Sequence, residues 1–353
     1  MAILKKGICT EPITLVNMNV WFGLDARGYV TFGEHEFKAG RRVRFNILTE
    51  GLKNLRPDVI GIQEANILPG YARTLSTAID CDAVWKVTNS GIKIMGWGIP
   101  TNFTAGNAVL APKGRRLKYL GARRISGYGI QSKYFSFHFK ELRDVMAVLV
   151  FVRDQPIIIF NTQTHFSVIW NQRWEIPLHN LIDSYQLGPK KKEKFLKKIQ
   201  KGQDRRRIEI SRLIAFVKKI TTVYKYPYVI MGDFNTTADT REIIDLVGEL
   251  NLLDAYGVQN PQKKGYTWDP GRNTNTRYDA SLFWADGVTP KDPFNRLKAE
   301  FDGNMARRID FIFLSYQFEP DMIKKARLIF TEPSDGLFAS DHFGIQVVLN
   351  RLP

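Results

Sequence analysis

Short apolar or alternating runs, each bounded by turn residues, recur along the whole chain and predict β-strands. The runs are residues 13–20, 59–62, 108–111, 145–151, 157–160, 228–230, 309–314 and 344–349. Helix-like patterns lie between groups of runs, and the clearest places apolar residues at helical spacing through residues 210–217. Because strands outnumber helices and the helices separate strand groups, the pattern predicts an α+β sandwich with helices on its outer faces.

The length and composition of the chain favour one globular unit. Its 353 residues are 44% hydrophobic, and no repeat or Gly/Ser/Pro-rich linker divides them, so we predict a single domain over residues 1–353. Only two cysteines are present, which excludes a disulfide framework and a Cys-based zinc site. No apolar run is long enough to span a membrane, and residues 1–6 lack signal-peptide character, so we expect a cytoplasmic protein.

The chain carries a formal net charge of +16, and half of it lies in one segment. Residues 189–207 contain ten Lys or Arg and two acidic residues. A local excess of this size predicts a polyanionic partner, either nucleic acid or an anionic membrane surface. No feature of the sequence indicates an obligate protein partner.

Residues 167–203 fit the alternation of strands and helices least well, and we interpret them as a basic insertion before a helix that begins near Arg205. The insertion contains two tryptophans, Trp170 and Trp174, and a set of apolar residues at helical spacing: Phe195, Leu196 and Ile199. That set could form one face of a short amphipathic helix. The face would either dock on a membrane or pack on the protein body, and the sequence leaves both alternatives open.

Polar side chains stand at the ends of predicted strands in six places, where a sheet would hold them rigidly. The places are Asn19 with Trp21, Gln63 with Glu64, Thr164 with His165, Asp233 with Asn235, Arg308 with Asp310, and Asp341 with His342. A carboxylate that follows a buried run, such as Glu64, is costly unless it is paired or binds a cation. An acid and an amide two residues apart, together with an Asp-His pair, suit metal-assisted attack on a phosphate.

In this order the motifs Asn-x-Trp, Gln-Glu, Thr-His, Gly-Asp-x-Asn, Arg-x-Asp and Ser-Asp-His resemble those of the endonuclease/exonuclease/phosphatase superfamily. The resemblance extends from residue 13 to residue 349 and rests on the order of the motifs, since each motif alone is common. It implies a four-layer α/β sandwich, with two mixed sheets face to face, helices outside and the active site at one end. It also implies Mg²⁺-dependent hydrolysis of a phosphoester, with Mn²⁺ able to substitute.

For the metal site, the resemblance implies that Glu64 is the principal ligand and that Asn19 and Asp341 complete the site directly or through water. Mg²⁺ prefers hard oxygen donors and keeps several waters, so one firm carboxylate with weaker partners is chemically sensible. Taken singly, Asn19 could instead be a turn residue and Glu64 a helix-capping acid.

For the reaction itself, the resemblance implies that His342 handles the proton of the attacking water and that Asp310 orients the ring. Asp233 would align or deprotonate the same water, a division of labour that the sequence leaves open. Asn235 and His165 would donate hydrogen bonds to the phosphoryl oxygens. Taken singly, His165 could be a core histidine and Asp310 a partner of the neighbouring arginine.

Residues around the motifs bear on the substrate class. Trp21 makes the first motif resemble the neutral sphingomyelinase branch, although Ser167 stands where that branch has a second histidine. Residues 265–269, with Asn273 and Asn275 after them, resemble a Thr-Trp-Asp element found in both sphingomyelinase-like and tyrosyl-DNA phosphodiesterase-like members, so this element does not separate lipid from nucleic acid. Trp268 and Asn273 are therefore predicted to contact a head group or a nucleotide, and a turn anchored by a buried tryptophan is the alternative.

The sequence as a whole favours a phosphodiesterase that acts on a phospholipid- or sphingomyelin-like substrate. A DNA or RNA nuclease, or a tyrosyl-DNA-type phosphodiesterase, is the alternative within the same chemistry. A catalytically silent phosphate-binding module is a hypothesis of another class, and it is disfavoured because all six motifs are complete.

Overall fold

The computed structural model describes residues 11–21, 38–89, 92–94, 97–99, 104–131, 135–138, 141–170, 175–277, 300–301 and 303–353. Their strands are β1 (Ile13–Asn19), β2 (Val59–Ala65), β3 (Cys81–Asn89), β4 (Ile92–Ile94), β5 (Trp97–Ile99), β6 (Ala105–Pro112), β7 (Leu117–Ser126), β8 (Gly129–Gln131), β9 (Ser136–His138), β10 (Arg143–Val152), β11 (Gln155–Gln163), β12 (Tyr228–Asp233), β13 (Leu253–Asp254), β14 (Asp310–Leu314), β15 (Ile323–Ile329) and β16 (Gly344–Leu349). Their helices are α1 (Lys38–Leu55), α2 (Gly70–Ala78), α3 (Glu175–Ser184), α4 (Pro189–Val223), α5 (Arg241–Leu250) and α6 (Ala255–Gln259).

Two six-stranded sheets form the body of the protein. The first sheet has the strand order β15-β16-β1-β2-β6-β3, and the second has the order β13-β14-β12-β11-β10-β7. Each sheet is antiparallel except at its centre, where β1 runs parallel to β2 and β11 runs parallel to β12. The predicted α/β sandwich of two mixed sheets with helices outside is confirmed.

Both faces of the central strands are buried, which explains why these strands read as continuous apolar runs. In β11, Ile159 packs in the core between the two sheets, whereas Ile158 packs under helices α4 and α5. Helices α1 and α2 cover the outer face of the first sheet in the same way, through Leu48, Leu52 and Leu75. The helices therefore form the two outer layers.

Helix α4 is longer than the sequence predicted. One continuous helix spans Pro189–Val223, so the prediction that this helix begins near Arg205 is wrong, whereas the insertion over residues 167–203 stays a prediction. Gly202 lies inside this helix and packs closely on Ser167, since a Cβ atom at residue 202 would lie 2.5 Å from the Ser167 Oγ. The helix continues through this glycine, and the missing side chain allows the close contact.

The apolar face of this basic helix packs on the protein body. Phe195 and Ile199 are buried in a cluster with Leu178 and Ile182 of helix α3, and Leu196 is half-buried. These side chains are consequently not free to insert into a bilayer, whereas Trp174 lies outside the described residues. Within the described part of the chain, no helix combines the length and the apolarity needed to cross a membrane.

A small sheet of order β5-β4-β9-β8 connects the two large sheets at one end. Its strands come from the segments that join β3 to β6 and β7 to β10. Nε2 of Gln131 donates to the carbonyl oxygen of Thr88 at 3.0 Å, and the backbone N–H of Leu142 donates to Oδ1 of Asn89 at 2.8 Å. Because β6 begins beside the end of β2 and β10 begins beside the end of β11, the small sheet stands at the carboxyl ends of these parallel strands.

Buried amides also bridge the two large sheets, where the pairing of β2 with β6 slips beyond Ile62. Nδ2 of Asn161, on β11, donates to the carbonyl oxygens of Ile62 at 2.9 Å and Ala108 at 2.8 Å. Nε2 of Gln63 donates to Oδ1 of Asn161 at 2.7 Å and to Oδ1 of Asn17 at 2.8 Å. These bonds set the position of one sheet on the other, because a buried polar group that loses its partner is costly.

Replacing Asn161 with leucine is expected to lower the free energy of unfolding by roughly 2–4 kcal/mol, because buried carbonyls would lose their donors. Urea unfolding followed by circular dichroism measures the change. Asn350→Leu is the matched control, since Asn350 is exposed and its side-chain Nδ2 donates to the carbonyl oxygen of Asp321 at 3.2 Å. A loss in the Asn161 variant no larger than in the control would contradict the bridging role.

Candidate active site

The carboxyl ends of the two parallel strand pairs meet at one end of the sandwich. In the first sheet β1 ends at Asn19 and β2 ends just after Glu64, and in the second sheet β11 and β12 end at Gln163 and Asp233. Nδ2 of Asn19 donates to Oδ2 of Asp233 at 3.1 Å, which joins the two sheets at this end. The structure therefore brings polar residues from distant parts of the chain into one cluster, which we name the polar end.

Asp233 lies at the centre of the polar end and accepts four N–H donors. Its Oδ2 accepts from Nδ2 of Asn19 at 3.1 Å, Nε2 of Gln163 at 3.1 Å and Nδ2 of Asn235 at 2.9 Å. Its Oδ1 accepts from the backbone N–H of Asn235 at 2.9 Å. Burial raises the pKa of Asp233 because it disfavours the charged carboxylate, whereas the hydrogen bonds from Gln163 and Asn235 act in the opposite direction. The four donors also hold the carboxylate in position.

Glu64 reaches the same cluster because strand β2 is irregular at its end. Its φ of +59° lies in the left-handed region, where the β2–β6 register also shifts. Nε2 of Gln163 donates to Oε1 of Glu64 at 2.5 Å as well as to Asp233, and Oε1 of Gln163 accepts from Arg143. Burial raises the pKa of Glu64. The sequence analysis missed Gln163, although its place just before the Thr-His motif was an available signal.

His342 and Asp310 form a buried pair next to Asp233. Nδ1 of His342 lies 2.8 Å from Oδ2 of Asp310, and Asp310 pairs with Asp233 across β14 and β12. Oγ1 of Thr267 accepts from the backbone N–H of Asp310 at 3.2 Å, and the Trp268 ring stands edge-on to His342 with centroids 5.3 Å apart. Burial alone would lower the pKa of His342, but the Asp310 carboxylate and its neighbours raise it well above the ordinary value.

The neighbouring arginine has another partner. Arg308 donates from Nη1 and Nη2 to the carboxylate of Asp254, at 2.9 and 2.5 Å. Asp310 is therefore not the ion-pair partner of Arg308. Its described side-chain contact is with Nδ1 of His342.

The loop that carries Asp341 is held by two buried asparagines. Nδ2 of Asn273 donates to the carbonyl oxygen of Ser340 at 2.9 Å, and Oδ1 of Asn273 accepts from the backbone N–H of Asn275 at 3.0 Å. Burial and the negative charge of Glu64 raise the pKa of Asp341 to about 7. Asn273 is fully buried with both ends of its amide engaged, so the geometry favours support of this loop over the predicted contact with substrate.

Arg44 of helix α1 holds two of the loops at the polar end, a role that the sequence did not reveal. Its Nη1 donates to the carbonyl oxygens of Val20 at 3.2 Å and Ala339 at 3.0 Å, and its Nη2 donates to that of Trp21 at 3.1 Å. The guanidinium also stacks 4.3 Å from the centre of the Trp21 ring. These carbonyls lie one or two residues from two predicted metal ligands, so Arg44 fixes the backbone that carries both.

The side-chain amide of Asn235 is engaged in hydrogen bonds within the protein. Its Nδ2 donates to the carbonyl oxygen of Thr164 at 3.1 Å and to Oδ2 of Asp233 at 2.9 Å, which engages both amide hydrogens. The backbone of Asn235 is left-handed, with φ of +49°. Its donation to a phosphoryl oxygen stays a prediction, and in this geometry such donation would replace one of these two bonds.

His165 follows β11 and is held by acidic side chains from other elements. Its backbone N–H donates to Oε2 of Glu209 at 2.6 Å, and its Nδ1 lies 3.4 Å from Oε2 of Glu141. Burial lowers the pKa of His165, and Glu141 acts in the opposite direction. Burial would raise the pKa of Glu141, but Arg143 and His165 lower it to about 2. An ionised carboxylate therefore orients His165, and the sequence analysis missed both glutamates.

Two sets of side chains at the polar end could hold a cation. Asp233, Asp310 and His342 offer ligand atoms within 4.8 Å of one another, and Asp310 binds Nδ1 of His342. The set implied by the sequence is Glu64, Asn19 and Asp341, and these side chains also make hydrogen bonds within the protein. The negative charge of Glu64 raises the pKa of Asp341. All donors of this second set are oxygens, which a hard divalent cation prefers to a histidine nitrogen, so the second set fits such a cation better.

Comparison with known proteins supports the fold. No family model and no curated protein sequence matches the chain. Among solved structures, TDP2 from D. rerio complexed with single strand DNA product is 18% identical with a TM-score of 0.54, over 96% of this chain and 98% of that chain. An endonuclease/exonuclease/phosphatase from Bacteroides vulgatus is 15% identical with a TM-score of 0.57, over 97% and 100%. A mannosyl-6-phosphatase from Bacteroides thetaiotaomicron is 14% identical with a TM-score of 0.55, over 96% and 99%. The chain has the endonuclease/exonuclease/phosphatase fold.

Replacing Glu141 with glutamine is expected to lower the pKa of His165 further, because a neutral amide no longer favours the imidazolium form. Titration of the histidine ring protons by NMR measures this pKa. Glu319→Gln, at an exposed position that follows β14 at the opposite end of the sandwich, is the control and should leave it unchanged. An unchanged or raised His165 pKa in the Glu141 variant would contradict the assigned contact.

Proposed function

We propose that this protein is a metal-dependent phosphoester hydrolase that acts as a phosphodiesterase. The observation that carries the proposal is the buried His342–Asp310 pair, placed directly beside Asp233 at the end of the sandwich that also holds Glu64. An imidazole held by a carboxylate, next to a cluster of acids, is suited to water attack on a phosphate anion. The likeness in fold to TDP2 and to a mannosyl-6-phosphatase is consistent with this chemistry.

In the proposed reaction His342 handles the proton of the attacking water. Because Asp310 holds Nδ1, the nitrogen that takes this proton is Nε2. It can do so only in the neutral form of the ring, which becomes the main form above the raised pKa of His342. Asp233 accepts four N–H donors, and when Asn235 turns its amide from Asp233 to a phosphoryl oxygen, the freed site on Asp233 can accept the O–H of the water. We therefore assign Asp233 the alignment of the water. The new P–O bond forms as the bond to the leaving oxygen breaks in line with it. Asn235 and His165 donate to the phosphoryl oxygens.

Glu64, Asn19 and Asp341 would hold the divalent cation, which we propose to be Mg²⁺ with Mn²⁺ able to substitute. When bound, the ion would offset the negative charge that develops on the phosphoryl oxygens. Gln163 keeps the Glu64 carboxylate in place by a hydrogen bond, and Arg44 keeps the backbone beside the other two ligands in place.

For the substrate we favour a phospholipid- or sphingomyelin-like phosphodiester. The small sheet and its flanks expose large apolar side chains at the same end as the site, with exposed fractions between 47% and 70%: Tyr128, Ile130, Phe135 and Phe137. Apolar side chains beside an active site suit contact with a lipid surface. The alternative is a DNA or RNA phosphodiester, favoured by the likeness to the TDP2 structure that contains a single strand DNA product.

We further propose that helix α4 attracts a polyanion, either an anionic membrane surface or nucleic acid. Lys190, Lys194 and Lys201 are exposed on the part of the helix whose apolar face is buried. Ammonium groups of this kind attract phosphates without sequence preference, and salt screens the attraction. The lysines would therefore raise the local concentration of substrate without taking part in the reaction.

Hydrolysis of bis-p-nitrophenyl phosphate is expected to require a divalent cation and to fall at least about 100-fold in kcat when His342 is replaced by asparagine, because the proton acceptor is lost. Glu64→Gln should raise the Mg²⁺ concentration needed for half-maximal activity. His179→Asn is the control, since His179 packs on Trp170 and is not among the predicted catalytic or metal-binding residues. Full activity in EDTA, or in the His342 variant, would refute the mechanism.

One panel at fixed Mg²⁺ should separate the substrate classes: sphingomyelin and glycerophospholipid vesicles, single- and double-stranded DNA, RNA, and a 5′-tyrosyl oligonucleotide. We expect turnover of vesicles to exceed turnover of nucleic acid. The combined Lys190→Gln, Lys194→Gln and Lys201→Gln variant should lower turnover of the preferred polyanion relative to bis-p-nitrophenyl phosphate, and should weaken its salt dependence. Turnover of nucleic acid without turnover of lipid would reverse the order of the two substrate classes.

A further inference from the structure

A cavity of about 440 Å³ opens beside the polar end, between helices α1 and α2. Trp21, Asn66 and Ala339 line it, and each of these residues lies two positions from one of the three predicted metal ligands. The cavity therefore borders every chain segment that would hold the cation. Its volume is within the range of small-molecule sites in proteins.

The walls of this cavity are mostly apolar. Phe45 and Leu48 of α1 and Tyr71 of α2 line it together with the Trp21 ring, and the rings of Phe45 and Tyr71 meet edge-on with centroids 5.9 Å apart. Of the polar groups in the walls, the guanidinium of Arg44 donates to three backbone carbonyls, and the buried Nδ2 of Asn66 has no acceptor among the described residues. An occupant would consequently gain chiefly apolar contact area, which suits a hydrocarbon group.

The rim of the cavity is positively charged. Arg41 and Arg42 of helix α1 line it, with Arg42 exposed and Arg41 half-buried. An apolar chamber with a cationic rim, next to a site for a phosphate, is complementary to an anion that carries an apolar chain.

We propose that this cavity receives the apolar chain of the phosphoester while the phosphate lies at the polar end. The inference rests on the proposed hydrolase function and narrows its substrate class to phosphoesters with an alkyl or acyl substituent. The cavity then sets specificity, because only a substrate with such a chain buries apolar surface between α1 and α2.

Gly70 offers a way to fill the cavity without disturbing the fold. It lies at the start of α2 and lines the cavity, and a Cβ atom built there meets no atom within 4 Å. Thr74, one helical turn further, is exposed and lines the same wall. Gly248 of α5 has the same open space around a Cβ atom but lies elsewhere, so Gly248→Leu is a matched control for Gly70→Leu.

The test compares methyl and hexyl p-nitrophenyl phosphate at fixed Mg²⁺. In the unmodified protein kcat/KM should favour the hexyl ester by about tenfold or more, since each buried methylene adds to binding. Gly70→Leu and, independently, Thr74→Phe should each reduce this hexyl-to-methyl ratio at least about fivefold through a higher KM for the hexyl ester. Gly248→Leu should leave the ratio as it is.

Equilibrium binding of hexyl phosphate and methyl phosphate, by calorimetry, separates this inference from the proposed function. Tighter binding of hexyl phosphate that Gly70→Leu or Thr74→Phe removes supports the cavity even if neither ester is hydrolysed, in which case the proposed function alone fails. Equal binding and equal turnover of the two chain lengths would overturn the inference. A chain-length preference that neither cavity-filling variant reduces would overturn it as well.

Discussion

The carboxylate of Asp233 accepts hydrogen bonds from both sheets, and the geometry of the polar end depends on it. Asn19 reaches it from the first sheet, while Gln163 and Asn235 reach it from the second. A buried carboxylate without such donors would cost several kcal/mol, so the donors must all be in place at once. Their simultaneous presence fixes how far apart the sheets lie at this end. Asp310, paired beside Asp233, then places His342.

A second layer of contacts holds the residues that would act on substrate. Arg44 joins the loop after β1 to the loop before Asp341, and Asn273 supports that second loop from within. Gly232 also supports the site. A Cβ atom at this position would lie 2.1 Å from the carbonyl oxygen of Thr162 and would force β12 away from β11. Rigid support of this kind is what keeps reactive groups in a fixed geometry.

Exposed positive charge and exposed apolar side chains lie on different elements of the structure, whereas the sequence suggested that residues 167–203 could present both. The basic helix buries Phe195 and Ile199 against the body, so it offers only charge to the outside. Exposed apolar side chains stand instead on the small sheet, and the apolar cavity lies between α1 and α2, both at the polar end. In the proposed function, helix α4 therefore supplies long-range electrostatic attraction, and the small sheet and the cavity supply short-range apolar contact.

The sequence by itself determined the central strands and the motifs at their ends. Strands buried on both faces must be apolar throughout, whereas β3 and β7, half-exposed on the outer positions of their sheets, carry mixed residues and escaped the pattern. Because such strands have no room for unpaired polar side chains, the predicted cluster of Glu64, Asp233, Asp310 and His342 lies at strand ends. Only the tertiary structure decided that Gln163 bridges two carboxylates, that Glu141 orients His165 and that Arg44 joins two loops. Those roles arise from contacts between residues distant in sequence, and no local spacing encodes which side chains will meet across two packed sheets.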